Sequence, residues 1–228
     1  MTAELQSTTE GRTMVLTISN PEHRNALGPE IYAAGVEALG SAESNPEIGS
    51  VIVTGQGPVF SAGGNLQRLQ ANRQLPPDHQ ARSIDGLHNW IETIRTFPKP
   101  VVAAVEGAAA GAGFSLALAC DFIVAARNAA FVMAYVNIAL SPDGGASWSL
   151  SRAIPRQLAT ELLLCGDRIS AERLAQLGVV NVISDAGNAL TDALALCERL
   201  NKRAPNVHHP NAGIGIASFL SKTPPSYR

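Results

Sequence analysis

Short blocks of apolar residues dominate the chain as far as Pro142, and helical spacing takes over beyond it. Thr13–Ser19 and Ser50–Thr54 predict strands. Gly28–Pro29 opens a helix between them that carries Ile31, Ala34, Val36, Ala38 and Leu39. Val101–Val105 and Phe122–Ala125 are continuously apolar, the pattern of strands buried on both faces, with a helix predicted from about Ala112 to Ala119 between them. Ile84, Leu87, Ile91 and Ile94 recur at steps of three and four, a one-faced helix suited to covering a sheet, and Pro98–Lys99–Pro100 stops it. Ser147–Ala153, Arg156–Cys165, Ser170–Leu177 and Asn188–Asn201 then read as helices, followed by a Pro- and Gly-punctuated tail. The pattern is α/β, with no internal repeat.

Composition narrows the function. The 228 residues fit one large domain, or one domain with a small appendage. Charged residues are 16% of the chain, against a usual ~25%, while 35 alanines and 20 glycines require close backbone contacts. A net charge of −2 without a Lys/Arg stripe argues against nucleic acid and anionic membranes as partners. Cys120, Cys165 and Cys197 are odd in number and form no CxxC pair, so no disulfide framework or zinc site is encoded, and a reducing cytoplasm is expected. The longest apolar run, Gly107 to Cys120, is interrupted by Ser115 and falls short of the ~20 residues that cross a bilayer. The opening residues, MTAELQSTTEGR, show no basic region followed by an apolar stretch, so no secretory signal is expected.

Two strand–glycine loop–helix units stand out: Val51–Gly55 leading into Phe60–Leu66, and Val101–Val105 leading into Gly107–Gly113. Each leaves backbone N–H groups free at a helix start, where the partial positive charge favours an anion. Two such donors meeting at one point would form an oxyanion hole, with Gly64 and Ala112 as the candidates, because a substrate oxygen reaches main-chain N–H only past tiny side chains. Either loop alone is explained better by tight turns and close packing. No Gly-Lys-Ser/Thr follows for a phosphate loop, and Leu116 stands where a dinucleotide fingerprint needs Gly or Ala.

Ser141-Pro-Asp-Gly-Gly145 places a carboxylate, Asp143, on a loop, although an Asp before Gly-Gly is by default a turn or cap residue. Ser115 within Gly113–Ala117 resembles a nucleophile elbow only loosely and reads better as a small core residue. His88 shares a helix face with Ile84 and Ile91, as a hydrogen-bonded boundary histidine would. His208–His209 lacks metal-ligand spacing and is expected at the surface.

Five segments, in order, resemble the crotonase superfamily, also called the enoyl-CoA hydratase/isomerase family. They are Asn20–Leu27, Phe60–Asn65, Lys99–Gly107, Gly111–Gly113 with Cys120–Asp121 behind it, and Cys165–Ala171. The resemblance implies a repeated ββα spiral over residues 1–186 and a C-terminal helical region over 187–228 that packs trimers, or hexamers of two trimers. It implies an acyl-CoA substrate, no cofactor beyond its CoA moiety, and a thioester oxygen held by the Gly64 and Ala112 N–H groups. The CoA would hook along Arg24, Ala26, Ala62, Asn65 and Leu66, with Phe219 and Lys222 reaching it from the terminal segment, often across a subunit boundary.

The departures from that family direct the chemistry. Where hydratases carry two glutamates, this chain has Ser115 and Tyr135, and Asp143 stands where isomerising members place an acid. The stretch Phe131–Tyr135 with Ser141–Asp143 is most similar to phenylacetate-pathway isomerases and oxepin-CoA-type members. Double-bond isomerisation or rearrangement by a single Asp is therefore expected. The alternatives are a hydratase with atypical residues and a hydrolytic dehalogenase of aromatic acyl-CoA with Asp143 as nucleophile, Tyr135 as aromatic donor and His88 as base. From another class comes a non-catalytic acyl-CoA-binding subunit. About thirty residues usual in the family are missing after Asn206, and an omission from the sequence in hand is favoured over a true deletion, which would expose apolar surface.

Overall fold

The computed structural model describes residues 3–202, 210–224 and 226. In chain order the elements begin β1 (Glu4–Glu10), β2 (Thr13–Ser19), α1 (Pro29–Ser44), β3 (Ser50–Gly55), α2 (Leu66–Asn72), α3 (Pro77–Thr96), β4 (Val101–Val105), β5 (Ala108–Ala110) and α4 (Ala112–Ala119). They continue β6 (Phe122–Ala126), β7 (Ala130–Val132), α5 (Ala146–Ala153), α6 (Arg156–Cys165), β8 (Arg168–Ser170), α7 (Ala171–Gln176), β9 (Val182–Ser184), α8 (Ala189–Asn201) and α9 (Pro210–Ser221). Short 3-10 turns occupy Pro21–His23 and Val136–Ile138.

Six strands form the main sheet in the order β1-β2-β3-β4-β6-β9, parallel throughout except for the β1/β2 hairpin. Alternation along each strand divides the apolar residues between two faces. Leu16, Ile18, Val51, Val53, Val101, Ala103 and Val105 join the large core with α1, α3 and α4. Val15, Ile52, Val102, Ala104 and Val124 meet Ala193, Leu196 and Cys197 of α8 on the other side. Burial on both faces explains why β3 and β4 are continuously apolar. A second sheet, β5-β7-β8, sets its strands beside the glycine turn that opens α4.

Every strand and helix predicted from spacing is present, most within a residue or two, but α1 runs on past Leu39 to Ser44 and α3 starts at Pro77, well before Ile84. Strand β1 was not predicted, because it is a polar edge strand with only Leu5 partly buried. The three-residue strands β5, β7, β8 and β9 are too short to show a period. Spacing showed the tail only as Pro- and Gly-punctuated; Pro210 starts a helix that accommodates Gly213 and Gly215 and continues to Ser221, in line with the helical C-terminal region the resemblance implies. Ala204–Asn206 and His208–His209 lie outside the described residues.

Candidate active site

The Asn20–Leu27 loop is fastened to the first glycine turn by buried amides. Asn25 Nδ2 donates to Gln56 O (2.9 Å) and Val59 O (2.7 Å), and Asn20 Nδ2 donates to Ala26 O (3.0 Å). Ser61 Oγ donates to Asn25 O at 2.8 Å, and the Ala62 N–H donates to Arg24 O at 2.9 Å. The two glycine turns are then joined directly: Ser61 N–H donates to Ala108 O (3.0 Å), and Ala110 N–H to Ser61 O (2.9 Å). At Gly63, whose φ is +86°, an added Cβ would lie 2.5 Å from Ala110 O and 3.1 Å from Ala112 N. That approach requires glycine.

Beside this contact sit the two predicted donors. Gly64 bridges to Leu27 through its neighbours' bonds, Leu27 N–H to Gly63 O and Asn65 N–H to Leu27 O, which leave its own N–H unused. Ala112 opens α4 after Gly111, which offers no side-chain acceptor. Neither N–H has an acceptor among the described residues, so both are available to an incoming oxygen.

One turn further along α4, Ser115 is buried with its Oγ 2.9 Å from Tyr135 Oη, and Tyr135 Oη donates to Asp143 Oδ1 at 2.5 Å. The Tyr135 ring passes Gly111, where an added Cβ would be 3.9 Å from ring carbons. Asp143 is held by the Gly144–Gly145 turn, both residues at positive φ, with the Ala146 N–H donating to its carbonyl at 3.1 Å. It is a turn residue, as its neighbours predict, and also part of a polar cluster. Burial raises the Asp143 carboxyl above the ordinary aspartate range, while the Tyr135 hydrogen bond and the charge of His88 act against that rise. Burial and the adjacent Asp143 charge push the Tyr135 phenol well up, so it keeps its proton and acts as a donor. Tyr32 of α1 is pushed up to about 12, chiefly by burial and against the pull of Arg68, with the Asp143 charge adding to the rise.

Gly64, Ala112, Tyr135 and Asp143 are thus placed around one turn of α4 and its neighbouring loops. His88 is exposed on α3, near enough for its charge to act on Asp143, and its side chain makes no hydrogen bond among the described residues, so it is not the hydrogen-bonded boundary histidine expected from its helix face. Arg24 and Ala62 are exposed, Leu66 is 58% exposed, and Asn65 caps α2 by accepting from Arg68 N–H at 3.0 Å. Ala26 is buried, with its N–H and C=O engaged inside the loop. Phe219 on α9 and Lys222 just beyond it are exposed, and no hydrogen bond, ion pair or ring contact connects them to these residues. The sequence reading missed that Ser115 is tied into the cluster. A serine inside the otherwise apolar helix Ala112–Ala119 carried the signal, because a buried hydroxyl needs a partner. A surface cavity of about 330 Å³ lined by Arg95, Leu118, Asp121, Trp148 and Arg152 contains none of the predicted residues.

The enoyl-CoA hydratase/isomerase family matches residues 8–210. A putative enoyl-CoA hydratase of Thermus thermophilus is 37% identical over 196 residues, covering 86% of this chain and 77% of that protein. The 1,2-epoxyphenylacetyl-CoA isomerase of Escherichia coli is 34% identical over 204 residues, covering 89% and 76%. Among solved structures, an enoyl-CoA hydratase from Polaromonas sp. JS666 is 59% identical with a TM-score of 0.95, covering 99% of this chain and 100% of that one.

Proposed function

Because the chain belongs to the enoyl-CoA hydratase/isomerase family, we propose that it binds an acyl-CoA thioester between the Gly64 and Ala112 N–H groups and isomerises or rearranges the acyl group with Asp143 as its single acid/base. The carrying observation is one carboxylate, fixed by Tyr135 at one oxygen, on a turn that packs against Ser115, one helical turn beyond Ala112, whose N–H, like that of Gly64, has no acceptor among the described residues. Hydrogen bonds from both donors to the thioester oxygen lower the cost of an enolate, each by about 2.7–4 kcal/mol on the scale of measured oxyanion holes. The α-proton then becomes removable by Asp143 Oδ2, and the same carboxyl returns it at another carbon. Hydration needs a second group to prepare water. The two hydroxyls that stand closest, Ser115 and Tyr135, are bound to each other and to Asp143.

The CoA moiety is the only cofactor-like group this chemistry calls for. It runs along Arg24, Ala26, Ala62, Asn65 and Leu66, with Phe219 and Lys222 closing on it from a neighbouring subunit of a trimer or a dimer of trimers. Incubation with saturated, 2-enoyl, 3-enoyl and aromatic CoA thioesters in D2O, followed by NMR, tests this. Deuterium entry at acyl carbons with a shifted double bond or a rearranged skeleton is expected, and it is lost in Asp143→Asn while CoA-ester affinity stays within about threefold. A 3-hydroxyacyl product would make the protein a hydratase, and halide release from 4-halobenzoyl-CoA a dehalogenase. Binding without exchange across the panel would leave a non-catalytic acyl-CoA-binding subunit.

A further inference from the structure

We propose that Ser115 is a positioning residue: its hydroxyl donates to Tyr135 Oη and thereby commits the Tyr135 proton to Asp143 Oδ1, leaving Oδ2 as the one carboxylate oxygen available for proton transfer. This rests on the acid/base reading of Asp143 and extends it to a residue that the sequence read as a small core residue, standing where hydratases of the family carry a glutamate.

Proton counting supports the assignment. Each hydroxyl has one proton to give. Tyr135 Oη lies 2.5 Å from Asp143 Oδ1, a separation typical of a hydroxyl donating to a carboxylate, so the phenolic proton is used there. The Tyr135 oxygen can then only accept at its 2.9 Å contact with Ser115 Oγ. The Ser115 proton has two other acceptors within reach, Asp143 O at 3.2 Å and Gly111 O at 3.3 Å. The second of these is the ordinary back-bond of a helical serine to the residue four before it. Both are longer than the Tyr135 contact, so the chain runs Ser115 to Tyr135 to Asp143, each bond strengthening the next.

The surroundings hold this chain in register. Ser115 N–H donates to Gly111 O at 3.0 Å, fixing the serine one turn from the Ala112 donor. On its other side, a Cβ at Gly144 would come within 3.0 Å of Ser115 Cβ. The turn carrying Asp143 therefore packs directly on the serine, and position 115 accepts a hydroxyl but no bulk. No other described residue donates a hydrogen bond to Asp143 Oδ2; besides Tyr135, only the main-chain N–H of Asp143 itself bears on the carboxyl as a donor. Charged and titratable groups facing Asp143 from other elements are His88 of α3 and Tyr32 of α1, the latter beside Arg68 of α2. None of these changes in the variants that test the proposal.

The test follows the Asp143 carboxyl by 13C NMR in protein labelled at aspartate, assigned against Asp143→Asn, in the wild type, Ser115→Ala, Tyr135→Phe and the double variant. Alanine suits a helix interior, so Ser115→Ala folds. Loss of the Ser115 donor leaves Tyr135 a weaker donor, and the Asp143 titration midpoint rises. Tyr135→Phe raises it further, and the double variant matches Tyr135→Phe. Deuterium exchange into but-3-enoyl-CoA falls roughly tenfold in kcat for Ser115→Ala, with KM within about twofold. An unchanged midpoint in Ser115→Ala, or a Ser115→Ala shift that persists in the Tyr135→Phe background, overturns the proposal. Coupled titrations without exchange into any thioester would sink the enolate reading and keep the Ser115 assignment; exchange without coupling would do the reverse.

Discussion

In the role proposed for it, Asp143 combines two demands that ordinarily conflict: it must be ionised to accept a proton, yet it is partly buried. Burial raises its pKa in the folded protein above the value of about 3.9 it has in an unfolded chain. The folded state therefore holds the proton more tightly than the unfolded state. Its contribution to stability is fully present below the unfolded pKa and is lost as pH rises through the folded one. Asp143→Asn should accordingly melt at a higher temperature than the wild type at pH 7, and the difference should shrink toward pH 4, measured by calorimetry. An equal difference at both pH values would mean that the carboxylate carries no burial cost. The same direction governs activity: the acidic limb of kcat/KM should lie above the ordinary aspartate range. Removal of the opposing charge in His88→Gln should move that limb higher still.

At the scale of elements, the site depends on how closely one glycine turn lies against the other. Ser61 bonds to both Ala108 and Ala110, and Gly63 fills a place where a methyl group would meet Ala110 O. Gly63→Ala combines a residue at φ +86° with that collision, so a loss of about 2–4 kcal/mol is expected in denaturant unfolding. The Gly64 and Ala112 N–H groups would separate at the same time. Deuterium exchange should then fall by about a hundredfold or more, the scale of losing one oxyanion donor. A variant with lower stability but unchanged exchange would show that these two turns do not jointly hold the thioester oxygen. Gly40, where an added Cβ meets nothing within 4 Å, is the control: Gly40→Ala should leave exchange unchanged.

At the scale of the whole molecule, α9 presents Ile216 at 51% exposure, Phe219 at 85% and Leu220 at 76%. Covering such side chains stabilises by about 1.5–3 kcal/mol each when burial is complete. A second copy of the chain is the expected cover, consistent with the trimer proposed above. Light scattering should give three or six times the 23.8 kDa chain mass. Phe219→Asp with Leu220→Asp should lower that mass and weaken CoA-ester binding together. A monomer in the wild type, with full exchange activity, would remove the neighbouring subunit from the site.

The sequence by itself determined the α/β class, most element boundaries and the two glycine turns. These follow from local constraints: continuous apolar runs where Val51–Val53 and Val101–Val105 are buried on both faces, three-and-four spacing in Ile84–Ile94, and glycine where backbone must approach backbone. Motif order along the chain pointed to the family. The polar edge strand β1, the three-residue strands and helix α9 escaped, because each lacks enough apolar residues at a regular interval to show a period. Only the tertiary structure decided that Ser115, Tyr135 and Asp143 form one hydrogen-bonded chain. Their separations of 20 and 8 residues carry no spatial information until α4, the β7 loop and the Gly144 turn are packed together, since hydrogen bonding depends on distances that local sequence does not encode.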